Sequence, residues 1–109
     1  FGEGLHDEPW LEANSVGWRE LRARCQEYPP ERVAAITGVP AETIVALARR
    51  YATTRPALLK TADGVQRHQN GGQTFRALLC LPAVVGQYGV RGGGLAYSTG
   101  GYAPWDGEA

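Results

Sequence analysis

Ala57-Leu58-Leu59-Lys60-Thr61, then Asp63-Gly64-Val65-Gln66-Arg67-His68-Gln69-Asn70-Gly71-Gly72, then Gln73 to Gln87: this stretch decides how the whole chain is read. Its first part is short, mostly apolar and bounded by turn formers, which suits a buried strand. The second part is polar and contains glycine, so it is a loop. The third carries Phe75, Leu78, Leu79, Leu81, Val84 and Val85 and predicts a helix buried on most sides. Pro82 removes one backbone hydrogen bond from that helix and predicts a kink. Strand, loop and helix in this order make one half of an open α/β layer. A single strand forms no sheet, so further strands are expected from sequence beyond this chain.

Upstream, the pattern is helical. Asp7 is a plausible N-cap for a short turn through Pro9-Trp10-Leu11, with Glu8 favourably placed beside the helix dipole. Ser15 is positioned to cap a second helix in which Trp18, Leu21 and Cys25 share a face. Pro29-Pro30 ends it and starts a third, where Val33 and Ile36 are expected to face inward and Gly38 to supply a left-handed stop. After Val39-Pro40, the residues Ile44, Leu47, Ala48 and Tyr51 recur at helical spacing, with Arg49 and Arg50 near the C-terminal end. Thr53-Thr54-Arg55-Pro56 breaks that helix. Downstream, Gly86 and Gly89 end the last helix, Arg91-Gly92-Gly93-Gly94 opens an irregular tail, and beyond Leu95-Ala96-Tyr97 the residues are turn-like. The expected organisation is a helical part over 1–56, a strand–loop–helix part over 57–97 and an irregular tail over 98–109.

The chain has 109 residues, a formal net charge of +0, 43% apolar residues and 15 glycines. This is one small globular unit with no charge excess that would argue for nucleic acid or an anionic membrane. No apolar run approaches the ~20 residues of a membrane span. Cys25 and Cys80 belong to no C-x-x-C pair, so a local zinc or iron–sulfur site is unsupported and two buried thiols are expected, with a single disulfide as the alternative. Phe1 is not a start methionine, and the expectation is an excised segment whose localisation is not legible. His6 reads as a surface or capping residue, and Trp10, Trp18 and Tyr51 as packing.

The chemistry concentrates in the loop. In open α/β sheets, ligands bind outside the carboxyl ends of strands, and this loop leaves such an end and runs into a helix N-terminus. Backbone N–H groups at Gly71, Gly72 and Gln73 would favour an anion, a carbonyl or a diphosphate. Gln66, Arg67, His68, Gln69 and Asn70 offer donors and acceptors to a polar heterocycle, and Arg67 adds a planar, permanently charged fork. The bland reading of the same loop is a solvated turn with a capped helix start. The glycines from Gly86 to Gly94 form a second candidate loop, or a tight reversal after a buried helix.

Several pieces of the chain, in this order and spacing, resemble one family. They are Tyr28-Pro29-Pro30-Glu31-Arg32-Val33-Ala34-Ala35-Ile36-Thr37-Gly38-Val39-Pro40-Ala41-Glu42-Thr43-Ile44 with Ala48-Arg49 and Tyr51-Ala52, then Gly64 to Gln73 with Arg76-Ala77, then Leu81-Pro82-Ala83 and Gly86 to Gly94. His6-Asp7 with Val16-Gly17-Trp18 adds to them. The match runs over roughly residues 5 to 98 and is to the dimethyl sulfoxide reductase family of molybdopterin oxidoreductases. The resemblance implies a helix-rich piece of a three-layer αβα, Rossmann-like domain with one or two strands, incomplete on its own. It implies a parent enzyme holding molybdenum or tungsten in a bis-molybdopterin guanine dinucleotide and doing two-electron redox or oxygen-atom transfer. A 4Fe-4S cluster would lie in the missing N-terminal part, and the rest of the catalytic subunit and an electron-transfer subunit or carrier would be the partners. On this resemblance Gly64, Gln66, Arg67 and His68 face the cofactor, while Asn70 and Gly71 shape the turn. No residue is assigned to catalysis or to the metal, whose protein ligand comes from upstream in the family. Asp63 departs from the uncharged residue many relatives carry there. Two other readings stay open: a non-catalytic scaffold relative in a respiratory complex, and a stand-alone anion- or nucleotide-binding module. The isolated piece is expected to self-associate, because an open sheet edge and exposed apolar surface invite pairing.

Overall fold

The computed structural model describes residues 1–98. Four helices come first: α1 (Glu8–Asn14), α2 (Trp18–Gln26), α3 (Pro30–Thr37) and α4 (Ala41–Thr53). Strand β1 (Leu58–Ala62), a 3-10 turn (Asp63–Gln66), helix α5 (Gly71–Val84) and strand β2 (Gly94–Ser98) follow. The fold is α/β and helix-rich, with a two-stranded parallel sheet.

Local chemistry accounts for most of the boundaries. The Asp7 carboxylate accepts from the Trp10 amide at 3.1 Å, and Pro9 sits in the first turn, where its missing N–H costs nothing. Pro29 and Pro30 start α3, and Gly38 ends it at φ 76. The cap expected of Ser15 differs: its hydroxyl donates back to Leu11 O at 2.7 Å and closes α1, while Gly17, at φ 81, precedes α2. A left-handed residue was needed to turn the chain there, and only glycine adopts it without strain.

The last helix also differs from expectation. It begins two residues earlier and ends at Val84, so Pro82 stands in its final turn rather than mid-helix. The chain then reverses through Gly86 at φ 61, with the Gln87 amide donating to Pro82 O at 2.8 Å. Gln87, 0% exposed, holds the reversal: its Nε2 donates to Thr54 O at 3.0 Å and its Oε1 accepts from the Ala57 amide at 3.2 Å. Arg55 adds donations to Val85 O at 2.8 Å and to Asp7 Oδ2 at 3.3 Å. These bonds fasten the entrance of β1 to the exit of α5.

Gly94–Ser98 is not irregular. It pairs in parallel with β1, Leu58 opposite Gly94 and Ala62 opposite Ser98, so the second strand lies within this chain. The α5 helix is the crossover between the two strands, as parallel pairing requires. The expected tail from residue 99 onward lies outside the described residues.

The core is shallow. Its buried apolar residues are Leu11, Trp18, Ala57 and Val85. Leu58 is 52% exposed, Leu81 47%, Ile36 66% and Leu47 67%, so neither β1 nor α5 is buried as expected, and α3 and α4 each turn an apolar residue outward. A radius of gyration of 15.9 Å exceeds the ~13 Å of a compact unit this size. The helical period located the apolar residues correctly, but burial needs a second surface, which these residues do not have here.

Candidate functional site

The loop expected to carry chemistry starts where both strands end. Because β1 and β2 run parallel, Ala62 and Ser98 are neighbours, and the chain leaves Ala62 directly into the 3-10 turn. Gly64 and Gln66 lie within that turn, Arg67 and His68 follow it, and Asn70 and Gly71 carry the chain into α5. Gln66, Arg67, His68 and Asn70 are all exposed. The six residues singled out from the sequence are therefore brought onto one short, solvent-facing turn.

Two of them shape the turn by backbone geometry. Asn70 is left-handed at φ 64, the only non-glycine residue so placed among those described. Gly71 is buried, and a Cβ there would meet Gln66 O at 2.0 Å, so the loop folds back onto itself at a distance only glycine permits. This close approach decides where the side chains of Gln66 and Arg67 emerge.

The helix N-terminus is less open than anticipated. The Gly71 amide donates to His68 O at 2.8 Å, and the Gln73 amide to Asn70 O at 2.9 Å. Of the three amides expected to await an anion, only that of Gly72 has no such backbone acceptor among the described residues. Asn70 offers no side-chain cap to the helix. The guanidinium of Arg67 pairs with Asp63 Oδ2 at 2.6 Å, across a four-residue spacing and in solvent. Asp63 thus offsets part of the positive charge that Arg67 brings and points its fork.

One buried polar atom near the loop escaped the sequence reading. Thr61, 8% exposed, has no hydrogen-bond partner for its Oγ1 among the described residues. It stands one residue before the carboxyl end of β1. The signal was available, since a threonine near the end of a mostly apolar strand is a hydroxyl that, once buried, must be satisfied. Ser98 was missed for another reason: the glycines before β2 read as a tail, and its place beside Ala62 follows only from the pairing.

The thiols and His6 are corrected as well. Cys25 is exposed and Cys80 partly so, and the two are not bonded to each other. The side chain of His6 is 8% exposed and packs between Phe1, at a ring separation of 5.1 Å, and Trp18, at 5.9 Å, so it is a packed residue rather than a surface one. Arg49 does not serve the helix terminus; its guanidinium grips the Glu3 carboxylate with Nε and Nη2 contacts of 2.8 Å, and this bond holds the Glu3 carboxyl below the usual carboxylate range.

A parallel pair of strands joined by a helix, with a polar turn at the shared carboxyl ends, is the arrangement at which open α/β layers commonly bind ligands. No family model matches the chain. Curated relatives do. A probable oxidoreductase, YoaE, of Bacillus subtilis (strain 168) is 41% identical over 109 residues, covering 100% of this chain and 16% of that relative. The dimethyl sulfoxide reductase DmsA of Haemophilus influenzae is 33% identical over 120 residues, covering 93% of this chain and 15% of its own length. The perchlorate reductase subunit alpha of Dechloromonas aromatica is 41% identical over 75 residues, or 69% of this chain and 8% of that protein. The chain belongs to the dimethyl sulfoxide reductase family of molybdopterin oxidoreductases, and it spans about a sixth or less of the length of these relatives.

Proposed function

We propose that the chain is part of the catalytic subunit of a molybdenum or tungsten oxidoreductase, and that its Asp63–Gly71 turn helps hold a bis-molybdopterin guanine dinucleotide. The bound cofactor would supply two-electron redox chemistry, including oxygen-atom transfer. The residues of this chain would bind and orient it.

The observation that carries this reading is the exposed donor set on a turn at the carboxyl end of a parallel strand. Gln66 and His68 suit the hydrogen-bonding edge of a pterin, and Arg67 suits its anionic groups. Gly71 sustains the turn by letting the Gln66 carbonyl approach. The buried Thr61 hydroxyl, unpartnered among the described residues, marks a place where a polar ligand or a further loop would complete the hydrogen bonding. The relatives named as dimethyl sulfoxide and perchlorate reductases support the reaction class. The rest of the catalytic subunit and an electron-transfer subunit would be its partners, with an iron–sulfur cluster outside this stretch.

The test is Arg67→Ala in the full-length protein, read by molybdenum or tungsten content and by turnover with a reduced dye and an oxide substrate. Turnover is expected to fall by about tenfold or more, the loss of roughly one charge-assisted contact, with the fold unchanged. Unaltered turnover and metal content would remove Arg67 from the site. A full-length protein that contains neither metal would place the chain in a scaffold role instead.

A further inference from the structure

Acidic side chains are distributed unevenly along this chain. In the sequence, Asp63 is the only carboxylate side chain between Glu42 and Asp106, whereas Lys60, Arg67, Arg76 and Arg91 all fall between β1 and β2 or within β1. The strand–turn–helix unit is therefore cationic with a single exception. That exception is committed to one partner: Asp63 Oδ2 accepts from Arg67 Nη2 at 2.6 Å.

Backbone geometry holds the two together. Asp63 opens the 3-10 turn as the chain leaves β1, and Arg67 follows that turn, its amide donating to Gly64 O at 3.3 Å. The close approach of Gly71 to the Gln66 carbonyl fixes the other side of the loop. The Asp63 side chain is 32% exposed against 63% for Arg67, so the carboxylate is the fixed post and the guanidinium the part that meets solvent. An ion pair this open adds little to stability. Its consequence is local charge: a carboxylate in contact with a guanidinium cancels much of the field that an approaching anion would feel. The planar fork meanwhile remains a directed hydrogen-bond donor.

We propose that Asp63 is a specificity-determining residue of the parent enzyme. By neutralising and aiming Arg67 it lets the turn receive an uncharged oxo group as a hydrogen-bond acceptor. It also turns away oxyanions, which Arg67 and the other cations of this unit would otherwise attract. The inference rests on the reading that this turn faces the bound cofactor, and so borders the approach of a substrate to it. Asp63 acts through Arg67 and is a positioning residue.

Two variants of the full-length, metal-loaded protein test this: Asp63→Asn removes the charge at constant shape, and Asp63→Glu keeps it. Arg67 is labelled with phenylglyoxal, which is uncharged, or with its para-carboxylate analogue, an anion bearing the same reactive dicarbonyl. Peptide mass spectrometry gives both rates, and their ratio cancels the accessibility and reactivity of the guanidinium. Asp63→Asn is expected to raise the anion-to-neutral ratio about fivefold or more at low ionic strength. The gain should shrink above about 0.5 M salt, and Asp63→Glu should stay near the unaltered protein. In turnover with a reduced dye, chlorate, as substrate or as inhibitor, should gain on dimethyl sulfoxide by a similar factor in Asp63→Asn, through KM or Ki rather than kcat. An unchanged labelling ratio would overturn the proposal, as would an Arg67 that neither reagent reaches in the native protein. Equal changes toward chlorate and dimethyl sulfoxide would reduce Asp63 to a structural role and overturn it too. If Arg67→Ala loses turnover while Asp63→Asn shifts neither ratio, the cofactor-binding reading stands and only this inference falls. If Arg67→Ala keeps full turnover and metal, both fall.

Discussion

A methyl group added to Gly71 would stand 2.0 Å from the Gln66 carbonyl oxygen, whereas one added to Gly72, the next residue, meets nothing within 4 Å. The pair therefore separates two reasons for glycine at a helix start. Gly71→Ala forces the loop off the helix and is expected to cost about 1–3 kcal/mol. Gly72→Ala should be neutral or stabilise by up to about 1 kcal/mol, through helix propensity and a less flexible unfolded chain. Thermal unfolding of the two variants side by side checks this, and a Gly71→Ala midpoint equal to that of Gly72→Ala would disprove the contact. Tyr51 offers a pH test at the same scale. Burial, with Tyr88 nearby, pushes its phenol above the ordinary value of 10.0. A raised folded-state pKa means the neutral form is favoured by folding, so the contribution is intact below the ordinary phenol range and is lost as pH climbs through the folded value. Stability should fall above about pH 10, and Tyr51→Phe should shallow that decline. An identical alkaline profile in the variant would show that Tyr51 ionises freely in the folded state.

Between elements, the joint that matters is the one that delivers β1 to α5. Gln87 is fully buried and serves Thr54 O and the Ala57 amide at once, while the Gln87 carbonyl and side chain leave no room for a Cβ on Gly93. Gln87→Ala would leave the buried Ala57 amide without its acceptor and the part-buried Thr54 carbonyl without its donor. At roughly 1–3 kcal/mol for a buried unsatisfied group, and less for the part-buried carbonyl, the loss should be about 1–4 kcal/mol. Hydrogen exchange reads it directly: the β1 amides should open far more readily in the variant. Unchanged exchange at Ala57 would mean that the side chain is dispensable. The helices themselves were legible because their signals are local. Asp7, Pro30, Gly38 and Thr54 act on neighbours within a turn, and each stands at or next to an observed boundary. Gln87 was not legible, because a glutamine in a glycine-rich loop has the same composition whether it is solvated or serves as a staple. Its role depends on residues 30 and 33 positions away.

For the whole molecule, the two-stranded sheet and thin core predict association. Among the described residues β1 and β2 pair only with each other, and Leu58 is 52% exposed on β1. Unsatisfied strand edges beside apolar side chains recruit further strands. The 109-residue chain by itself should show a sedimentation-average mass that rises with concentration, and Leu58→Lys should reduce that rise. A monomer at every concentration would show that the edges are covered from within.

The amino-acid order alone settled the α/β class, the Asp7 cap, the Pro29-Pro30 start and Gly38 stop of α3, the polar turn between β1 and α5, and the family. All of these rest on short-range pairings or on a string of residues compared directly. Tertiary structure decided that Gly94–Ser98 is a strand, that Ser15 closes α1 instead of opening α2, that His6 is packed between rings, and that two of the three amides at the start of α5 are already engaged. It also decided that Ile36 and Leu47 face outward. The physical reason is the same in each case. Periodicity says which residues share a face, but the surface that face meets, and the hydrogen-bond partner it finds, come from chain distant in sequence.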